Sequence, residues 1–273
     1  MPLSIAPKYP NLRERILAFG NEGTGKSRAV CSIIKRIPDH FFRIIDNDDS
    51  YERLIYSDEF EVIAERGNFE LIQVDSADWE AQLAAAQRIA DEAVPGDWNV
   101  FDCITPTWTV AINDWYTNLI FDKGLVDYAI AMRQSLEDDR SSARDKGGKE
   151  KRTQPLFDQF RDYGVINPAY KKLYSTFLNT RAHVFLTATV TNVRDSDDIA
   201  IKKVYGSFRP EGQKDLGKMP HTALLFRHNP GRGEWTFETK KDRQREYVEE
   251  VEFTDFSKEY LIDVAGWRVK KVA

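Results

Sequence analysis

The strongest constraint on this chain is one octapeptide, Gly20-Asn21-Glu22-Gly23-Thr24-Gly25-Lys26-Ser27, which satisfies the pattern Gly-x-x-x-x-Gly-Lys-Ser/Thr. It follows Arg13 to Gly20, a short apolar run with the character of a buried strand. It precedes Arg28 to Arg36, where Ala29, Val30, Ile33 and Ile34 have helical spacing and Pro38 closes the segment. That context is the one the pattern needs. Glycines at 20, 23 and 25 let the backbone turn so that successive N–H groups converge on an anion. The helix opening there adds about half a positive charge at its N-terminus. Residues 20 to 27 are therefore expected to cradle a triphosphate, with Lys26 bridging the β- and γ-phosphates and Ser27 Oγ coordinating Mg²⁺.

The rest of the chain alternates strand and helix patterns. Phe41 to Ile45 reads as a strand running into Asp46-Asn47-Asp48-Asp49, and Phe69 to Val74 alternates like a strand. Residues 77 to 93 are alanine-rich and helical, with Ser76 or Asp78 as caps. Trp98 to Asp102 is a further buried strand, Thr107 to Ile120 a helix, Pro168 to Thr180 a helix, and Ala182 to Val190 a core strand. This order predicts an α/β fold with a mostly parallel sheet covered on both faces. Thr222 to Arg227 and Glu234 to Thr239 flank His228 to Gly233, which is a hairpin signature.

With 273 residues, no internal repeat and no linker, the chain reads as one domain, 1–273. An insertion is expected at 121–167 and a C-terminal β-hairpin extension at 222–273. Glu137 to Thr153 has no apolar residue larger than alanine, so a mobile charged loop is expected there.

Composition excludes several classes. Apolar residues at 41% and charged residues at 30% rule out a wholly disordered chain. No apolar run approaches the ~20 residues that span a bilayer, and Met1 to Lys8 lacks the apolar core of a secretion signal, so no membrane partner and a cytoplasmic setting are expected. Cys31 and Cys103 are too few for a disulfide framework or a four-thiolate zinc site. His40, His183, His221 and His228 lack metal-ligand spacing and support no Ser-His-Asp triad; a satisfied core histidine is the expectation for His183. The net charge of −5 requires any nucleic-acid contact to use a local basic patch.

Chemistry on a nucleotide needs acids near the loop. Asp102, at the end of Trp98-Asn99-Val100-Phe101, is the candidate magnesium ligand, with Asp46 as competitor. Asp48, ahead of Asp49, is the candidate for orienting the attacking water.

The strand, Gly-Asn-Glu-Gly-Thr-Gly-Lys-Ser, helix, Phe-Arg-Ile-Ile-Asp-Asn-Asp-Asp and Asn-Val-Phe-Asp-Cys-Ile-Thr resemble in order the RecA-like P-loop ATPases. Within them the chain looks most like phage-encoded, single-core RecA-like proteins of single-strand annealing and recombination. The resemblance spans about residues 13 to 245 and implies a RecA-like core that converts ATP to ADP and phosphate with Mg²⁺. It implies that Asp48 stands where the family carries a longer glutamate, and that Asp102-Cys103 stands where it carries Asp-Ser. Thr187, in Leu186-Thr187-Ala188-Thr189, matches the γ-phosphate sensor position, and Lys241-Asp242-Arg243 matches a Lys-x-Arg finger reaching a neighbouring subunit.

The same resemblance implies a homo-oligomer, ring or filament, acting on single-stranded DNA, with a single-strand-binding protein as a further partner. The setting would be the cytoplasm of a bacterial host. DNA contact falls to two polar stretches. One holds Arg140, Arg144, Lys146, Lys149, Lys151 and Arg152 against two acids. The other, Arg194 to Lys218, holds Lys202, Lys203, Tyr205, Phe208, Arg209, Lys214 and Lys218.

Two other classes compete. A small-molecule P-loop kinase would use Arg140, Arg144 and Arg152 as a lid, and a nucleotide-gated assembly protein would turn over little. A GTPase is disfavoured. Thr239-Lys240-Lys241-Asp242 fits a guanine-reading pattern, but Asp145-Lys146-Gly147-Gly148 lies in the charged loop and Asp263-Val264-Ala265-Gly266 comes too late to supply its switch.

Overall fold

The computed structural model describes residues 3–9, 11–121, 130, 133–134, 159–243, 245 and 248–271. The charged stretch 137–153, with its expected mobile loop and basic cluster, lies outside them. The strands are β1 (Leu3–Ala6), β2 (Arg15–Phe19), β3 (Phe42–Asp46), β4 (Phe69–Gln73), β5 (Trp98–Asp102) and β6 (His183–Ala188). They continue with β7 (Val190–Asn192), β8 (Phe208–Pro210), β9 (Thr222–Asn229), β10 (Glu234–Asp242), β11 (Val251–Phe253) and β12 (Arg268–Lys271). Eight of them form one sheet in the order β11-β10-β9-β2-β6-β5-β3-β4. From β4 to β9 neighbouring strands run parallel, and the β9-β10-β11 edge is antiparallel.

Side-chain alternation along these strands feeds a core on each face of the sheet. On one face Ile16, Ala18, Phe42, Ile44, Val100 and Phe185 are buried with Val30, Ile33 and Ile34 of α1 (Lys26–Arg36). Tyr51 and Ile55 of α2 (Ser50–Ile55) and Ile63 of α3 (Glu61–Arg66) join that core. On the other face Leu17, Phe19, Phe101, Val184 and Leu186 meet Ala86 and Ile89 of α4 (Trp79–Glu92). The expected mostly parallel sheet, flanked by helices and carrying a C-terminal hairpin, is present.

After β5 the chain turns through α5 (Ile104–Pro106) and a π-helical turn, Thr107–Ala111, into α6 (Ile112–Phe121). Helix α7 (Gln159–Leu178) begins well before the expected Pro168, which lies inside it. Ile166, Tyr170, Leu173, Tyr174 and Phe177 form a continuous buried stripe through that proline. Packing of this stripe outweighs the local cost of a missing N–H.

Three further features go beyond what local patterns give. The polar stretch after β6 is ordered: β7 pairs antiparallel with β8, and Ile201 and Tyr205 of α8 (Ile199–Tyr205) bury with Leu216. Tyr205 packs edge-on against Phe19, its ring centroid 5.8 Å away, and is not exposed for base stacking. The hairpin is not an appendage, because β9 pairs directly with β2, Phe19 opposite Leu225. Finally, β1 and β12 pair and join the two ends of the described chain. Among the described residues no helix is long and apolar enough to cross a membrane.

At the opposite end of the sheet from the loop, His183 is buried, with ring centroids 4.7 Å from Trp98 and 5.1 Å from Trp267, and its Nδ1 accepts from the Glu14 amide at 2.9 Å. Burial, aided by the charges of His40 and Arg13, pushes its pKa down to about 3. The unfolded chain, with an ordinary histidine at about 6.5, therefore binds one proton more through the window between these values. Stability should fall as pH drops from about 6.5 toward 3, by about 1.4 kcal/mol per unit from this group. Denaturant titrations across that window should show a shallower fall for His183→Asn, which keeps an acceptor for the Glu14 amide.

Candidate functional site

Parallel strands place their carboxyl ends along one edge, and the loop 20–25 leaves β2 there. Gly23 and Gly25 adopt positive φ of 72° and 88°, the left-handed conformation that glycine takes without penalty. Gly20 serves a different need. A Cβ there would lie 2.4 Å from the Phe226 carbonyl oxygen and 2.8 Å from Thr24 Oγ1. Its amide donates to the Ala188 carbonyl at 3.2 Å, tying the loop to the end of β6.

Lys26 Nζ donates to the carbonyls of Gly20 and Asn21 at 3.0 and 2.8 Å, and Thr24 Oγ1 donates to the Asn21 carbonyl at 2.7 Å. Burial lowers the Lys26 pKa, opposed first by Asp102. Ser27 Oγ donates to Asp102 Oδ2 at 2.7 Å, and Ser50 Oγ donates to Ser27 Oγ at 3.2 Å. The second Asp102 oxygen, Oδ1, accepts from Thr187 Oγ1. Asp102 is 2% exposed, and burial followed by the charge of Asp48 pushes its pKa up, against the hydrogen bonds from Thr187 and Ser27. A buried carboxylate beside a hydroxyl is a pair of hard oxygen donors, and this chemistry suits Mg²⁺. The peptide between Asp102 and Cys103 is cis, and Asn47 brackets it, donating to the Cys103 carbonyl at 2.9 Å and accepting the Cys103 amide at 2.7 Å.

The other acids divide by position. Asp46 faces Asp102 across the β3–β5 register, but its carboxylate accepts the amides of Ser50 and Tyr51, both at 3.2 Å, and caps α2. Asp49 takes positive φ of 54° at the start of α2 and accepts from Gln73. Asp48 lines the cleft. Desolvation against the cleft wall and a hydrogen bond with Asp46 raise its pKa, opposed by Ser50.

The cleft has a volume of about 630 Å³ and brings Glu22 to Arg28 together with Asp48, Ser50 and Asp102. Thr187 meets Asp102 rather than the cleft lining. Lys241 and Arg243 are elsewhere: the register Lys241–Ala223 and Leu17–Ala223 puts them toward the opposite end of the sheet. Lys241 Nζ donates to the carbonyls of Gly217, Lys218 and Pro220 at 2.7–2.8 Å, and burial pushes its pKa down to about 8. Arg243 is exposed and donates to the Lys218 carbonyl at 2.8 Å.

Among the cleft residues that sequence reasoning missed are Thr105, Thr189, Glu211 and Trp235. Thr189 donates its amide to Thr105 Oγ1 at 2.9 Å and its hydroxyl to Glu211 Oε2 at 2.6 Å. Thr105 and Thr189 follow Asp102 and Thr187 by a few residues, so strand-end proximity was a usable signal. Glu211 follows β8 and Trp235 lies on β10, and no local pattern announces that either reaches the cleft.

No family model matches this sequence, and no curated protein matches it. Among solved structures, the chain is similar to that of the RadB recombinase, with a TM-score of 0.45 and 14% identity over 91% of this chain and 88% of that one. It is also similar to a KaiC-like protein from the hyperthermophilic archaeon Pyrococcus horikoshii OT3, with a TM-score of 0.47 and 10% identity over 91% and 94%.

Because Phe226 O is backbone, a methyl group at position 20 cannot be relieved by a rotamer change. Gly20→Ala should lower unfolding free energy by about 1–3 kcal/mol, the range for overpacking, measurable by urea denaturation. Gly231→Ala, whose nearest contact would be 3.4 Å from Asn229 Oδ1, should change it far less.

Proposed function

We propose that this chain is a RecA-like ATPase that binds MgATP in the cleft above β2, hydrolyses it to ADP and phosphate, and acts on single-stranded DNA as a homo-oligomer. The observation that carries the reading is the Ser27 Oγ–Asp102 Oδ2 contact at 2.7 Å, beside Lys26 and the glycine loop. In this reading the amides of residues 23 to 27 and the α1 N-terminus hold the phosphates. Lys26 contributes its ammonium to the phosphate oxygens, and Ser27 and Asp102 hold the metal. Bound Mg²⁺ supplies neutralisation of the charge that develops on the phosphates.

Asp48 is assigned the role of orienting the attacking water and taking its proton. Its raised pKa favours that role, since a base works best when its pKa approaches the working pH. Thr187 acts here through Asp102, holding the carboxylate that meets the metal. Lys241 and Arg243 are carried as the finger toward a neighbouring subunit, with exposed Arg243 the better placed of the two. DNA contact is assigned to the stretch Arg194 to Lys218, where Phe208 is 40% exposed and Lys202, Lys203 and Lys214 are exposed. The setting in phage-type recombination or annealing, and a single-strand-binding partner, extend the same reading.

ATPase rate measured with and without single-stranded DNA, together with oligomer mass, tests this function. Lys26→Ala should reduce turnover to background; retained turnover would refute the loop assignment. DNA should accelerate the parent chain, whereas phosphate transfer to a nucleoside or sugar would point to a kinase, and slow turnover indifferent to DNA to an assembly protein. Arg243→Ala should impair turnover far more than nucleotide binding.

Asp48→Asn should reduce kcat by roughly 10²–10⁴-fold, the usual worth of a general base, while binding persists. Because the base must be deprotonated, kcat of the parent should decline on acidification, through a pKa above the ordinary aspartate value of about 3.9. That acidic limb should vanish in Asp48→Asn; a limb that survives unchanged would remove Asp48 from the role.

A further inference from the structure

The end of the sheet opposite the phosphate loop carries an unbalanced set of cations. Across β2, β9 and β10, Ile16 lies opposite Thr222 and Thr222 opposite Asp242. One residue nearer that end, the His221 amide donates to the Arg15 carbonyl at 2.9 Å, so Arg15, His221 and Arg243 form the next row. Strand alternation turns all three to one face, which Lys241, opposite Ala223, shares two rows further in. In keeping with this, Lys241 Nζ and Arg243 Nη2 both donate to the Lys218 carbonyl at 2.8 Å. Arg13 stands beside the row, its Nη1 donating to the Thr180 carbonyl.

Like charges opposite one another across strands destabilise a sheet. The acids nearby do not relieve them. Asp242 belongs to the alternate row, where it accepts from Thr222 Oγ1 and the Arg245 amide at 2.9 and 3.0 Å. Glu14 is engaged by Arg245 and Trp267. Among the described residues, the ion pairs of this region run from Arg245 to Glu14 and Asp242, and none reaches Arg13, Arg15, Lys241 or Arg243. Arg15 Nε is buried without a hydrogen-bond partner among them, a costly state for a donor on a charged group. The strain shows in the titrating groups. Burial, then Arg13 and Arg243, lower the Arg15 pKa; burial, then Arg15, Arg243 and Lys241, lower that of His221, opposed by Asp242.

We propose that this row is a binding site for a dianionic phosphate group, held by the guanidinium groups of Arg15 and Arg243 with His221 between them. Guanidinium forks match pairs of phosphate oxygens and keep their charge at any working pH. Arg15 Nε supplies a donor that no protein group uses, and exposed Arg243 leaves the row open to solvent. Lys241, whose ammonium donates to three carbonyls, adds charge without contact. The site does not depend on the reading of residues 20–27. A terminal phosphate reaches it either free in solution or on a nucleotide held by a second copy of the chain. In the second case, the finger assigned to Arg243 is one use of the same row.

The His221 ring resonances, followed by NMR through a pH titration in sodium phosphate and in sodium chloride of equal ionic strength, test it. In chloride His221 should titrate below the ordinary histidine value of about 6.5, and phosphate should raise that pKa. Arg243→Gln, which keeps a donor for the Lys218 carbonyl, should raise the chloride value by removing a neighbouring cation. It should also weaken phosphate binding about ten- to a hundredfold. Arg15→Gln should act in the same direction. Titrations identical in chloride, in phosphate and with MgATP would overturn the proposal, as would a phosphate response that Arg243→Gln leaves intact. Two arms separate the sources. A response of Lys26→Ala to inorganic phosphate means free phosphate. A response confined to the parent with MgATP, growing with oligomer mass, means the nucleotide of a neighbouring copy. A 5′-hydroxyl oligonucleotide that competes as strongly as a phosphate monoester would make the row a contact for phosphodiester backbone and overturn the dianion assignment.

Discussion

The carboxylate of Asp102 is the contact on which the arrangement of the cleft depends. One oxygen accepts from Ser27 at the start of α1 and the other from Thr187 in β6, so three segments distant in sequence converge on one buried group. Burial makes its charge costly, and the two hydroxyl donors offset part of that cost. Next to it, the Asn47 side chain donates to the Cys103 carbonyl and accepts the Cys103 amide, which fixes the backbone that follows Asp102. Asp102 is thus both a structural tie between β2, β5 and β6 and the oxygen donor that a cation at this site would meet.

Around that tie the carboxyl ends of the strands divide the work. Asp46 caps α2, and Asp48, two residues on, faces the cleft. Burial, and then the hydrogen bond with Asp46, raise the Asp48 pKa. On the other side, Thr105, Thr189 and Glu211 form a polar cluster that links the β5 and β6 ends to the lobe 190–220.

The far end of the sheet is closed by a second buried charge. Glu14, 2% exposed, accepts twice from Arg245, at 2.7 and 2.9 Å, and once from Trp267 Nε1, at 3.0 Å. Each carboxylate oxygen is satisfied, which is the condition for burying an ion without a large penalty. With the β1–β12 pairing, this network fastens the C-terminal segment to the strand that bears the loop.

The sequence by itself determined the loop, its strand and helix, and the alternation of strands and helices that makes a mostly parallel sheet. Those signals are local: glycine spacing, apolar period and a lysine-serine pair report on neighbours within a few residues. The acid at the end of Trp98-Asn99-Val100-Phe101 was legible for the same reason, being a polar residue ending a buried strand. Tertiary structure alone decided which of Asp46, Asp48 and Asp49 faces the cleft, because a cap, a wall and a turn differ in orientation and not in composition. It also decided that the hairpin joins the main sheet, that Pro168 lies within a helix, and that Glu211 and Trp235 reach the cleft. These outcomes arise from pairing and packing between segments far apart in the chain, where the free energy of burial exceeds any local preference the residues carry.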